Sequence, residues 1–401
     1  MAKQLFVEGC LAGWGLLPFF VLSCVGAQNA LAWEGFRWDT WREITGVTAP
    51  ALDSPQAGRL DLLPLLDAGV PGADPITTKE EWEKRRDGIR SVLAELIGTP
   101  TNLSAPAASA EVLGEEDLGT YTRRHLRIAS EPDDTIPAYL LIPKKPVQTP
   151  CPAMIVLHQT QAPGKEEACG MTGDPNMAFA KELVERGYIC IAPDAIGFGE
   201  RIPKGEQPYY GAHDFYRKHP QWSFFGKMIW DVHRVVDYLE TLPEVDKSRI
   251  GCIGHSHGAY GTIMGTIFEP RIRVAVASCG FNTLRTDPSP NRWCQLTALL
   301  PRLGFYVDDV KTAPLDWHEI VACLAPRSYF NYATLYDDVF PNTENLASIY
   351  TQLTSVYALY GSSDHFAGAL VTGKHSFPPD SRQMVYHWID RQFDLPASNP
   401  E

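Results

Sequence analysis

No CxxC pair occurs in this 401-residue chain, although it carries nine cysteines: Cys10, Cys24, Cys151, Cys169, Cys190, Cys252, Cys279, Cys294 and Cys323. An odd number without paired spacing excludes a disulfide framework and a zinc ribbon, while leaving a single bridge open. Cys190, Cys252 and Cys279 stand in apolar runs and read as small core residues. Basic charge is short as well. Thirty-five lysines and arginines against 48 aspartates and glutamates leave a net charge of −13. Such a surface argues against nucleic acid or an anionic membrane as a main partner. The histidines of "HDFYRKH" (213–219) lack the i, i+4 spacing of a helical metal pair, and no metal is assigned. "GFGER" (197–201) lacks the lysine and remaining glycines of a phosphate loop. Repeats and low-complexity tracts are missing too.

One uncharged apolar run is present, residues 9–26, and it follows Lys3 as the core of a signal peptide would. Glu8 and Pro18 leave a second reading open, a buried or interfacial segment. Pro18 and the glycines around it speak against a retained membrane span. The chain therefore divides into residues 1–30 as an export leader, 31–108 as an N-terminal extension, and 109–395 as the main domain.

The composition is that of a loop-rich globular enzyme, with 44% hydrophobic residues, 11% aromatics, and 32 each of glycine and proline. Residues 27–75 show no clear element. Over 78–98, Thr78 can cap a helix whose apolar face is Trp82, Ile89, Leu93 and Ile97, and Gly98 stops it. "YTRRHLRIAS" and "IPAYLLIP" alternate as two antiparallel strands. From 151 onward, continuous apolar strands at 152–158, 188–194, 249–256, 272–280, 327–334 and 356–362 are separated by helices at 177–187, 224–242 and 258–268. A last helix lies at 381–393. That alternation implies a mostly parallel sheet with helices on both faces. Two long irregular stretches, 197–223 and 281–318, suit loops over an active site.

The chemistry centres on "IGCIGHSHGAYG" (250–261). G-x-S-x-G alone is weak evidence, but here it follows a strand and precedes a helix, the turn that exposes a serine hydroxyl. Glycine is required at 254 and 258 because side chains there would collide where strand and helix meet. The N–H of His257 would then face a developing oxyanion. Serine needs a base, and this strand–turn–helix type supplies acid and histidine later in the chain. Asp337 and Asp338 follow the strand 327–334, and His375 precedes the last helix, with room between for one helix and one strand. The N–H of Gln159, after the strand 152–158, is the expected second oxyanion donor. His158, Arg201 and Trp222 are candidate substrate contacts. His255 is expected to turn inward, and Asp364–His365 reads as a polar strand exit.

Residues 80–395 resemble the dienelactone-hydrolase-like and acetyl-esterase-like α/β-hydrolases through "VLHQT", "ELVERGYICIAPDAIGFGER", "LPEVDKSRIGCIGHSHG", "RIRVAVASCGF", "DWHEIVACLAPRS", "DDVFP" and "GKHSFPPD". The resemblance implies an α/β-hydrolase fold. It places the acid at Asp337, four residues before Pro341, and the base at His375. Dienelactone hydrolases proper use cysteine where this chain has Ser256. The implied function is a serine hydrolase of carboxylic esters, acting on a small acyl or saccharide ester without a cofactor, which an export leader would suit. Two other readings are a prolyl-oligopeptidase-like peptidase and a non-catalytic binding protein. The first lacks room for an upstream propeller, and the second leaves an intact Ser, Asp and His without purpose.

Overall fold

The computed structural model describes residues 35–100 and 103–395. The apolar run 9–26, and with it the expected leader, lies outside the described residues.

Alternating burial along the strands shows how the sheet is covered. In β4 (Cys151–Leu157), Met154 and Val156 face one apolar layer, while Ala153, Ile155 and Leu157 face the other. The first layer includes Phe179 and Leu183 of α4 (Phe179–Glu185) and Val385 and Ile389 of α10 (Pro379–Gln392). The second includes Val232, Val235 and Leu239 of α6 (Phe224–Leu239). A strand buried on both faces reads as an unbroken apolar run, as these do.

The remaining elements, in chain order, are α1 (Trp38–Thr45), α2 (Lys79–Ile97), β1 (Ala110–Asp117), β2 (Tyr121–Glu131) and β3 (Asp134–Pro143), then α3 (Lys165–Ala168) and β5 (Ile189–Pro193). They continue with α5 (Ala212–Lys218), β6 (Val245–His255), α7 (His257–Phe268), β7 (Ile272–Ser278), α8 (Trp317–Ala322), β8 (Ser328–Thr334), α9 (Leu346–Leu359) and β9 (Phe366–Val371). They build one nine-stranded sheet in the order β1-β2-β3-β5-β4-β6-β7-β8-β9. The first three strands pair antiparallel, and β5 through β9 run parallel. Helices cover both faces, and this is the α/β-hydrolase fold.

The N-terminal extension is not featureless. Trp41 of α1 is buried against Tyr216 and Phe305, at 6.1 and 6.0 Å between ring centroids. Helix α2 starts at a capping box: Thr78 accepts from the Glu81 N–H, and the Glu81 carboxylate accepts from the Thr78 N–H.

One strand differs from expectation. Residues 356–359 end helix α9, and the edge strand is β9 at Phe366–Val371. The β-branched and aromatic "TSVYALY" mimics a strand locally. Yet Leu346, Ile349, Leu353, Val356 and Tyr357 recur at three- and four-residue spacing, and all five are buried. One helix and one strand still separate Asp337 from His375. No helix among the described residues is long and apolar enough to cross a membrane. All seven described cysteines are free and buried.

Candidate active site

Strand β6 ends at His255 and α7 begins at His257, so the whole reversal falls on Ser256, at φ 53°, ψ −115°. A non-glycine residue there carries backbone strain that the surrounding structure must hold in place. Its N–H donates to Ser278 O at 2.8 Å, and its carbonyl accepts from the Ala259 N–H at 2.9 Å. The two glycines are needed for the reason expected. A Cβ on Gly254 would come within 2.2 Å of the Gly258 backbone, and one on Gly258 within 2.0 Å of Leu157 O. Their absence brings the end of β4 directly against the turn.

The acid and the imidazole come from two further strand ends. Asp337 follows β8, and its Oδ1 accepts the N–H groups of Val339 and Phe340, both at 2.8 Å. The His375 Nδ1 lies 3.0 and 2.9 Å from the two carboxylate oxygens. Burial favours the neutral carboxyl. The His375 ring and the two N–H groups outweigh it and hold the Asp337 pKa below the usual carboxylate range. An ionised Asp337 fixes the proton on Nδ1, which leaves Nε2 as the free nitrogen. Asp338 points elsewhere: its Oδ1 accepts the His375 backbone N–H at 3.4 Å, steadying the loop. The His375 ring packs on His255, 4.7 Å between centroids, immediately before Ser256.

His255 turns inward as expected. It is fully buried with Nδ1 2.9 Å from Ser278 Oγ. Burial, reinforced by nearby His375, puts its pKa far below the histidine range. The His257 ring is also buried. It is stacked on His158 at 5.9 Å and packed against Phe198 at 4.7 Å. Its backbone N–H, in the first turn of α7, has no carbonyl within the helix to bond. Gln159 lies just past β4, and its side-chain amide donates to the Glu167 carboxylate at 3.1 Å.

The three expected substrate contacts are each held by partners within the protein. His158 is 2% exposed, and both ring nitrogens are engaged: Nε2 accepts from the Ala195 N–H at 3.1 Å and Nδ1 donates to Gln159 O at 2.7 Å. It ties two loops together. Arg201 is pinned between Asp231 (2.5 Å) and Asp134 (2.7 Å). Trp222 is buried beside His219 and forms a backbone bridge with Gly98 at the end of α2. An aromatic in a loop gives no sign in sequence of which way it faces. Asp364 and His365 lie not at a strand exit but in the turn that enters β9, at its N-terminal end, with His365 Nδ1 2.9 Å from Pro326 O.

Two residues of the site were not singled out. Glu167, 2% exposed, binds the Gln159 side chain and the Asp174 N–H. Burial raises its pKa against those two donors. Cys279, read as a core residue, does sit buried, but at φ 48° with Sγ, an Asp337 oxygen and a His375 nitrogen all within 4.8 Å of one another. Burial and the Asp337 charge push its thiol up to about 12, so it stays protonated at neutral pH and is a weak ligand for a metal ion. Its place at the end of an apolar strand was the only signal available.

A serine on a strained strand-to-helix turn, with an Asp–His pair held beside it at neighbouring strand ends, defines the serine-hydrolase class of α/β-hydrolases. The sequence matches the family described as "Glucuronyl esterase, fungi" over residues 133–361, and the chain belongs to that family. It is accordingly a carboxylic ester hydrolase. Relatives include a putative hydrolase, YtaP, of Bacillus subtilis, 31% identical over 233 residues (57% of this chain and 74% of that protein). A 4-O-methyl-glucuronoyl methylesterase 1 of Wolfiporia cocos is 26% identical over 203 residues, 45% of this chain and about half (48%) of that protein. Among solved structures, a glucuronoyl esterase from Solibacter usitatus superposes with a TM-score of 0.64 at 18% identity, over 86% of this chain and 99% of that one.

Proposed function

We propose that this chain hydrolyses an ester in which a sugar acid supplies the acyl group, releasing the alcohol, and that Ser256, His375 and Asp337 are its catalytic triad. The observation that carries the reading is the Asp337–His375 contact at 2.9 Å, with the imidazole packed on His255, the residue next to Ser256. Ser256 Oγ attacks the ester carbonyl carbon while His375 Nε2 takes its proton, and Asp337 stabilises the imidazolium. The carbonyl oxygen, now an alkoxide, is held by the backbone N–H groups of Gln159 and His257. Collapse expels the alcohol, which takes the proton from Nε2. Water, deprotonated by the same nitrogen, then cleaves the acyl-enzyme.

The names of the relatives support a uronic acid as the acyl half, which narrows the small acyl or saccharide ester expected from sequence. Export suits an enzyme meeting polymeric carbohydrate outside the cell. The test is a panel of methyl and benzyl glucuronate esters, acetylated sugars, p-nitrophenyl acetate and short peptide amides, offered to wild type and Ser256→Ala. Preference for the glucuronate esters, abolished in the variant, supports the reading. Preference for acetylated sugars or peptides would overturn the substrate, and equal turnover by both proteins would overturn the nucleophile.

A further inference from the structure

Between the β2–β3 turn, the loop after β5 and helix α5 lies a cavity of about 490 Å³, inside the roughly 300–1,000 Å³ range of small-ligand sites. Arg201 and Lys227 form its base. The Lys227 ammonium is within 2.8 Å of Glu131, Asp134 and Asp231, so the buried charge is fully paired. On its exposed side Lys218 bridges to Asp133 at 2.8 Å. Four basic and four acidic side chains line it in all, and burial, only partly opposed by Glu131, keeps the neighbouring His219 on the neutral side. A balanced wall of this kind attracts neither anions nor cations as such. It offers hydrogen-bond donors and acceptors in equal supply, which suits a polyhydroxylated neutral ligand. Tyr210 adds a 46% exposed ring at the same wall, the kind of flat apolar surface on which a sugar face can lie.

Position ties the cavity to the ester site. The β2–β3 turn projects beyond Ala138, which pairs with Pro193 at the C-terminal end of β5, and so stands at the same edge of the sheet as Ser256. Three strand spacings separate β3 from β6, roughly 15 Å. Gly197 and Arg201 line the cavity, while Phe198 between them packs on His257. One loop therefore faces both places.

We propose that this cavity is a subsite for a neutral sugar residue of the carbohydrate chain that carries the ester. The proposal rests on the carbohydrate-ester reading above, and its test is separable from it. Xylotetraose, cellotetraose and mannotetraose are titrated calorimetrically into Ser256→Ala, and into the same protein carrying Tyr210→Ala or Lys218→Ala, each variant first checked for an unchanged melting temperature. Saturable binding of at least one tetrasaccharide, weakened about tenfold by Tyr210→Ala and measurably by Lys218→Ala, supports the subsite. On a tetrasaccharide-linked ester, Tyr210→Ala in the active enzyme is expected to raise KM and hold kcat. Binding indifferent to both substitutions, or no binding of any tetrasaccharide, would overturn it. Binding that follows this pattern in a protein inert toward every glucuronate ester would sustain the subsite and discard the proposed acyl half.

Discussion

Acidification should unfold this protein earlier than its carboxylates would, because of the two histidines that flank Ser256. His255 and His257 are completely buried, and burial first, then His375 and His158 respectively, hold both rings neutral with pKa values far below the histidine range. The unfolded chain takes up those protons near the ordinary value of about 6.5. Below that pH the unfolded state binds more protons than the native state, so stability falls as pH falls. Each ring costs about 1.4 kcal/mol per pH unit, and the pair removes about 2.7 kcal/mol between pH 7.5 and 5.5. That is a large part of the 5–15 kcal/mol typical of a folded domain. Buried Glu167 and Glu319 act in the opposite sense, since their raised pKa values let the native state take protons first. Their window opens above about 4.3. Asp337, lowered, loses its contribution only as pH falls from about 3.9 through its native pKa. Urea unfolding at pH 7.5, 6.5 and 5.5 reads the slope directly; His158, His219 and His233, also lowered by burial, add to it in the same sense, so His257→Phe should reduce the loss over that window by about 1.4 kcal/mol whatever the variant does to absolute stability. A stability that is flat or rises between pH 6.5 and 5.5 would refute the reasoning.

Other perturbations have equally specific outcomes. Asp337→Asn should lower kcat by about 10³–10⁴-fold, whereas Asp338→Asn, whose carboxylate reaches the His375 backbone N–H and the exposed Lys374 but not the imidazole, should change it less than about tenfold; steady-state kinetics on one ester decides between them, and equal losses would contradict the assignment of the acid. Gly258→Ala drives a methyl into Leu157 O, 2.0 Å away, and should destabilise the fold by about 3 kcal/mol or more, seen as a depressed melting temperature. Lys227→Met leaves Arg201 facing Asp134 and Asp231, and Glu131 with only His219 at 3.8 Å, and should cost about 3–5 kcal/mol in denaturant titration; a neutral result would mean the carboxylates take protons instead.

Much of this was legible in the sequence because it depends on backbone geometry. Gly254 and Gly258 around Ser256, the doubly buried strands, and the Thr78 cap each reflect a local constraint that only certain residues satisfy. Side-chain direction across loops does not. Trp222, Arg201 and His158 are the residue types a substrate pocket uses, and in the fold a bridge to Gly98, an ion pair to Asp231 and the Ala195 N–H engage them, which no local pattern announces. Those partners stand 124, 30 and 37 residues away in sequence. The strand expected at 356–362 failed for a related reason. Local β propensity in "TSVYALY" lost to a five-residue apolar face that only packing reveals. Cys279 was legible as buried, but its approach to Asp337 requires β7, β8 and the loop after β9 to meet.

The central claim is that Ser256 is the nucleophile. Treating wild type and Ser256→Ala with a fluorophosphonate and mapping the adduct by peptide mass tests it most directly. One phosphonyl group on the peptide containing Ser256, and none on the variant, is the predicted result. A label on any other residue, or equal labelling of both proteins, would contradict it.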